Sequence, residues 1–221
     1  MTVLMDVPVD LIAVRTADPV DLAAIYEDGI NVCILERRVL NHRLLTFVES
    51  VLARTETILE TRVLSVQQFD FASLLPQLAR LPGYQAFCDD LAWITHVFSD
   101  LFELDQVGLR LRTLDKPMCP KFHVDHVPCR LVTTYGGVGT EWLEDWAVDR
   151  TRLGVNSHGL DDVRFGVVKD PGAVQTMPAY AVGLLKGTRW EGNEQQGAVH
   201  RSPATAPDCS RRLLLTLDFA Q

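Results

Sequence analysis

The stretch KFHVDHVPCRLVTTYGGVGTEW, residues 121–142, decides how the second half of the chain folds. Its run at 129–137, CRLVTTYGG, is rich in β-branched and apolar residues, ends at two glycines and predicts a strand. His123 and Asp125 stand two residues apart just before this run. Because side chains at i and i+2 of an extended segment lie on the same face, these residues can present an imidazole and a carboxylate to one point.

Further short segments with β-strand character flank this stretch. They alternate apolar and polar residues or are rich in β-branched residues, and Gly, Pro or Asp bounds each of them. Short strands that follow a block of helices are typical of a barrel or sandwich with helices on one side. The additional strands are predicted at 107–115, 163–168, 179–187, 197–202 and 211–219, with a polar insertion at 143–162.

The first half of the chain has a different period. Apolar residues recur every three or four positions, which predicts amphipathic helices, apart from one extended segment at 31–37. The predicted helices lie near 19–28, 39–52, 70–80 and 84–103. We therefore expect an α+β fold in which a mainly helical region, 1–106, packs on a β-rich core, 107–221, as one compact domain.

Composition narrows the classes of function. The formal net charge is −8, with the acidic excess in the first half, and this charge argues against nucleic-acid binding. The sequence has no apolar run of about 18 residues, so no membrane span is expected, and its start lacks the features of a secretory signal. Five scattered cysteines indicate reduced thiols and a cytoplasmic protein.

A third candidate metal ligand lies far along the chain. His200 stands in AVHRSP, inside the predicted strand at 197–202. Together with His123 and Asp125 it would complete a 2-His-1-carboxylate facial triad, which leaves three coordination positions open. Such a site is associated with non-haem Fe(II) oxygenases.

The last predicted strand, RRLLLTLDF at 211–219, offers a cation. Alternation places Leu213, Leu215, Leu217 and Phe219 on one apolar face, so that Arg212 and Thr216 lie on the opposite face. A guanidinium that faces the interior can hold a carboxylate by a bidentate pair. By this alternation Arg212 is favoured, while Arg211 remains the other candidate.

The order HxD, distant His, then Arg resembles the Fe(II)/2-oxoglutarate-dependent dioxygenase superfamily. The Arg-x-x-x-Thr spacing of Arg212 and Thr216 is similar to the last core strand of those enzymes. With TYGGVGTEW, LLKG, HRSP and RLLLTLD, the chain also resembles a bacterial family of unknown function. The superfamily likeness covers roughly 107–219.

The resemblance implies a double-stranded β-helix, or jelly roll, and a hydroxylase-type reaction. His123, Asp125 and His200 would hold Fe(II), and 2-oxoglutarate would chelate the metal. Its distal carboxylate would pair with Arg212, aided by Tyr135 or Thr133. With dioxygen as the oxidant, the co-substrate would become succinate and CO2 while a small molecule or protein side chain is oxidised.

Two other classes of function stay open at this point. The same barrel can be a non-redox protein that binds zinc or another divalent ion, for example in metal homeostasis, or an inert interaction module. Zinc can also be held by a Cys2His2 set, although its spacing departs from the usual pairs. That set would be Cys119, His123, His126 and Cys129.

Overall fold

Two sheets and a helical layer form the part of the chain that the structure, a computed structural model, describes, namely residues 12–37, 41–203 and 211–220. The large sheet has seven strands in the order β1-β2-β8-β5-β10-β4-β3, and the small sheet has three in the order β7-β6-β9. All neighbouring strands are antiparallel except β1 and β2. The strands are β1 (Ile12–Thr16), β2 (Ile30–Leu35), β3 (Leu59–Ser65), β4 (Gln106–Leu114), β5 (Cys129–Tyr135), β6 (Glu141–Leu143), β7 (Gln175–Thr176), β8 (Val182–Lys186), β9 (Val199–Arg201) and β10 (Arg212–Phe219).

Helices cover one face of the large sheet, as predicted. The α-helices are α1 (His42–Leu52), α2 (Tyr84–Leu101) and the single-turn α3 (Asp162–Phe165). Phe47 of α1 stacks on Phe87 of α2 with ring centroids 4.7 Å apart. Gly83 caps α2 at φ 82°, and a Cβ there would lie 1.9 Å from the Arg43 carbonyl oxygen, so the close approach of α1 requires glycine.

Strand β10 shows why the sheet has two different faces. Leu213, Leu215 and Leu217 lie in the large core cluster with α1 and α2. Leu214, on the opposite face, lies in a second cluster between the two sheets, with Trp142 of β6. Both faces of β10 are therefore buried, with the leucine face on the helices and the face of Arg212 toward the small sheet.

The first half contains more strand than expected. Strands β1, β2 and β3 lie before residue 106, and all three join the large sheet, so both halves build one sheet. The predicted helix at 70–80 consists only of short 3-10 turns, and residues 19–26 form a 3-10 helix. The helices predicted at 39–52 and 84–103 are present as α1 and α2, although residues 38–40 lie outside the described residues.

The predicted strand at 163–168 is wrong. Asp161 accepts a hydrogen bond from the Arg164 amide and caps a helical turn, α3, which ends at Gly166 with φ 84°. Only Val168 keeps a β-bridge, to Val148. No helix among the described residues is both long and apolar enough to span a lipid bilayer.

Candidate metal centre

Backbone pairing brings the two candidate histidines together. His123 and His200 form an isolated antiparallel bridge beside the small sheet, with two backbone N–H to O hydrogen bonds of 3.0 Å each. Directly paired residues project to the same side, and the imidazole centroids lie 4.6 Å apart. The segment before His123 is fixed by Asp162, whose carboxylate accepts the Phe122 amide at 2.8 Å.

The carboxylate of Asp125 lies between the two imidazoles. Its Oδ1 is 3.7 Å from Nε2 of His123, and its Oδ2 is 3.2 Å from Nε2 of His200. One ligand atom from each of the three residues lies within 4.8 Å of the others. Among the described residues, this is the only group of three or more His, Cys, Asp or Glu side chains that has such spacing.

Hydrogen bonds select the histidine tautomer that a metal needs. Nδ1 of His123 lies 2.9 Å from the Lys121 carbonyl oxygen, and Nδ1 of His200 lies 3.0 Å from the Ala198 carbonyl oxygen. Since a carbonyl only accepts, each Nδ1 carries the proton and each Nε2 keeps its lone pair for a metal. Burial and the neighbouring His200 lower the pKa of His123, which favours its neutral form.

An ion-pair network on the inner face of the large sheet holds the carboxylate of Asp125. Arg130, on the inner face of β5, donates to Asp125 Oδ2 at 2.7 Å and to Asp218 at 2.7 and 3.0 Å, and Arg110 also pairs with Asp218. Burial by itself would raise the pKa of Asp125, but its contacts with His200 and with the Arg130 guanidinium lower it below the usual range. The sequence reasoning missed Arg130, although alternation within β5, which places Arg130 on the face opposite Cys129 and Leu131, was a signal for its position.

Arg212 lies on the inner face of β10, as the alternation predicts. The residue is 4% exposed, and its guanidinium donates to the Val138 carbonyl oxygen at 3.3 Å, while Nη2 has no partner within the described part of the chain. Burial lowers its pKa. Arg211, by contrast, donates to the carbonyl oxygens of Arg54 and Glu56, which occupy its guanidinium outside the inner face.

Two of the residues expected beside Arg212 lie on the wrong face. Tyr135 belongs to the helix-side core and donates to Asp90 at 2.6 Å, so it cannot reach the inner face. Thr133 has the same orientation by alternation. Thr134 lies on the inner face instead, where its buried hydroxyl has no partner among the described residues, while Thr216 lines an inner-face pocket as expected.

The alternative Cys2His2 set is not assembled. Cys129 is fully buried in the helix-side core, where burial raises the pKa of its thiol. Nδ1 of His126 lies 2.9 Å from Oγ1 of Thr188, away from the metal triad. These four residues, as they are placed, therefore offer no zinc site.

The chain is similar to one sequence family and to solved oxygenase structures. The family profile, described as protein of unknown function (DUF1826), matches residues 16–218, whereas no curated protein matches. The structure resembles the dioxygenase for auxin oxidation from rice, at 10% identity and a TM-score of 0.52, over 95% of this chain and 83% of that one.

The dioxygenase for auxin oxidation 1 from Arabidopsis thaliana, solved as a complex with 2-oxoglutarate, gives a similar result. Its identity is 10% and its TM-score 0.52, over 95% of this chain and 92% of that one. Likeness at such identity shows a shared fold and leaves the chemistry to be argued from the site. Since the family profile spans nearly all of the sequence, the chain belongs to the DUF1826 family of proteins of unknown function.

Proposed function

We propose that this protein is an Fe(II)- and 2-oxoglutarate-dependent oxygenase of the hydroxylase type. The observation that carries the proposal is the convergence of His123, Asp125 and His200. Two imidazoles whose Nε2 atoms are free and one carboxylate provide three protein ligands and leave positions for other ligands. This donor set fits Fe(II) in the facial-triad class.

The order in which the chain visits its two sheets supports a double-stranded β-helix. After β4 in the large sheet, the chain crosses to His123 beside the small sheet and returns as β5. It then forms β6 and β7 in the small sheet, β8 in the large, β9 in the small and β10 in the large. Such interleaving is typical of a jelly roll, whose interior the core between the sheets would fill.

The residues around the triad have separate roles in this proposal. The carbonyl groups of Lys121 and Ala198 hold the Nδ1 protons, and Arg130 orients Asp125. Buried apolar residues of the inner cluster, including Trp142 and Leu185, exclude water from one side of the site. When bound, Fe(II) with 2-oxoglutarate and dioxygen would supply the oxidising chemistry for C–H hydroxylation: one oxygen atom would enter the substrate as a hydroxyl group and the other would enter succinate, with release of CO2.

Arg212 is the proposed partner of the distal carboxylate of 2-oxoglutarate. A buried guanidinium without a carboxylate is costly, because its desolvation is not offset by an ion pair. A bound dicarboxylate would provide the missing pair, and the buried hydroxyl of Thr134 on the same face can donate to it. Thr216 also lies on the inner face of β10, where it lines the neighbouring pocket together with Arg130.

Succinate formation tests the proposal. The full chain with Fe(II), ascorbate and 2-oxoglutarate is expected to release succinate even without a substrate, through uncoupled turnover. Asp125→Ala should abolish this release because it removes a metal ligand.

His126→Ala is the matched control. His126 directly follows Asp125 in the sequence, but its imidazole contacts Thr188 instead of the triad, so this variant should still release succinate. Absence of both succinate formation and 2-oxoglutarate binding in the iron-loaded wild type would contradict the proposal. Stoichiometric zinc with no such turnover would favour a non-redox metal protein.

A further inference from the structure

A pocket of about 220 Å³ lies on the inner face of the large sheet, next to the candidate metal centre. One of its walls is Arg130, which also donates to Asp125 of the triad. Arg130 is therefore a contact that the pocket shares with the proposed catalytic site. Its lining residues are Arg110, Arg112, Met118, Arg130, Leu214 and Thr216.

A second pocket, of about 280 Å³, continues this cavity toward the edge of the sheet. The two pockets share Arg110 and Arg130, and the second one reaches Val63 on the edge strand β3. Together they offer room for a small organic molecule beside the triad.

The first pocket has one more arginine than its ion pairs with carboxylates account for. Arg130 is paired with Asp125 and Asp218, and Arg110 is paired with Asp218. Arg112 forms no ion pair with any carboxylate in the parts of the chain that the structure describes. Its Nη1 contacts the sulfur of Met118 at 3.6 Å, and its Nε is buried without a partner there.

Arg112 is also separate from the proposed 2-oxoglutarate clamp. It pairs across the ladder with Leu214, so its side chain lies on the inner face between the two sheets. Arg212 lies at the start of β10 against Val138 and is not among the residues that line this pocket. Within the described ranges, the inner face thus has two cations without a carboxylate partner, in different surroundings.

Exposed apolar side chains lie next to Arg112 and along the second pocket. Leu59 on β3 pairs directly with Arg112 on β4, and it is 66% exposed. Val63 on the same strand is 63% exposed, and Met118 is 47% exposed. Exposed apolar groups beside a cation match a ligand that has both an anionic group and a hydrocarbon part.

We propose that this pocket binds an organic anion, a carboxylate or phosphate on a short apolar body, and that Arg112 holds the anionic group. The inference rests on the proposed function for one point, namely that this anion is the substrate and that its apolar body is oxidised at the triad. The binding site itself follows from the unpaired guanidinium, the cavity and its apolar rim.

Calorimetric titration of three six-carbon probes tests the site on the full chain as purified. Hexanoate and hexyl phosphate are expected to bind at least about tenfold more tightly than neutral hexanamide, because a charge-assisted hydrogen bond distinguishes them. The tighter of the two anions identifies the preferred anionic group.

Variants assign the effect to one residue. Arg112→Gln should remove most of the preference for the anions, and Arg112→Lys should keep part of it. Arg164→Gln removes an equal charge from an exposed arginine that pairs with Asp161 and does not line the pocket, and it should change nothing. Thermal unfolding of each variant shows whether the fold is retained.

Three results would overturn the inference. The first is that the anions bind no more tightly than hexanamide. The second is that Arg112→Gln leaves the affinity for the anions unchanged. The third is that Arg112→Gln lowers the affinities for 2-oxoglutarate and hexanoate equally, which would place Arg112 in the co-substrate site. Loss of succinate formation with intact, Arg112-dependent anion binding would instead contradict only the proposed oxygenase function.

Discussion

The two faces of the large sheet differ in whether their buried arginines have carboxylate partners. On the helix side, Arg37 pairs with Asp90 at 2.5 Å, and Asp90 also accepts from Tyr135. On the inner side, neither Arg212 nor Arg112 forms an ion pair with a carboxylate in the described part of the chain, and each has a buried nitrogen without a partner there. Strand β5 contributes to both faces, since Tyr135 lies on the first and Arg130 on the second.

This difference separates a structural cluster from a binding surface. The helix-side cluster joins α2 to the sheet through a buried ion pair whose members satisfy one another's charge. Neither Arg112 nor Arg212 on the inner face has an ion-pair partner among the described residues, so a ligand that supplies a carboxylate would provide one. Binding sites commonly keep polar groups that folding alone does not satisfy.

The largest expected effect on stability belongs to the helix side. Asp90→Ala would leave Arg37 buried without its counter-ion and should lower the free energy of unfolding by about 3–5 kcal/mol. Urea denaturation measures this loss. Asp89→Ala, at an exposed neighbour, should cost no more than about 0.5 kcal/mol. Equal losses for the two variants would remove the distinction between the faces.

Replacement of Arg212 on the inner face should lower ligand affinity and leave stability nearly unchanged, in contrast to Asp90→Ala. Arg212→Met keeps much of the length of the side chain and removes an uncompensated charge, so we expect little or no loss of stability. Affinity for 2-oxoglutarate should fall by about 30-fold or more, because a buried charge pair is lost. Urea denaturation and titration of 2-oxoglutarate measure the two quantities.

Arg211→Met is the matched control for this variant. It removes hydrogen bonds to the carbonyl oxygens of Arg54 and Glu56, so it should lower stability and keep 2-oxoglutarate affinity. The reverse pattern in the two variants would assign the clamp to Arg211.

Arg130 should affect the metal more than its neighbour Arg110 does. Arg130→Ala removes the hydrogen bond that orients Asp125. Loss of a hydrogen bond to a metal-ligating residue typically weakens metal affinity about 10–100-fold. Arg110→Ala affects Asp218 without touching the triad and should have a much smaller effect. Competition with a chelating dye measures both affinities, and similar values would show that Arg130 does not position Asp125.

The smallest expected effect concerns the reactivity of the cysteine thiols in the folded protein. Burial raises the pKa of Cys33 to about 12, so at a pH of about 8 its reactive thiolate is scarce. In the folded protein, a thiol reagent should then modify Cys119, which is partly exposed, well before Cys33. Mass spectrometry of the labelled peptides measures the order, and early labelling of Cys33 would show that this face opens readily.

The sequence was sufficient to predict the features that depend on local periodicity. The alternation in β10 correctly placed Arg212 and Thr216 on the inner face. The helical spacing in 84–103 correctly predicted α2. The HxD pattern and a distant histidine predicted a triad, whose members lie together in the structure.

Features that depend on register or on distant partners could not be predicted in this way. Thr133 and Tyr135 do not lie beside Arg212, because a shift of one residue in β5 reverses the side on which every side chain lies. The pairing of Arg130 with Asp218 joins residues 88 positions apart, for which no local pattern exists. Strand β3 was missed because its side chains are mostly exposed and lack an apolar face.

The visible absorption of the protein with Fe(II) and 2-oxoglutarate, recorded in the absence of oxygen, reports directly on the metal centre. If His123, Asp125 and His200 hold one metal and leave positions for the keto acid, a weak charge-transfer band should form at one equivalent of each. The band should be lost in Asp125→Ala and retained in His126→Ala. A wild-type protein that binds Fe(II) but gives no band, or a band that survives Asp125→Ala, would contradict the account.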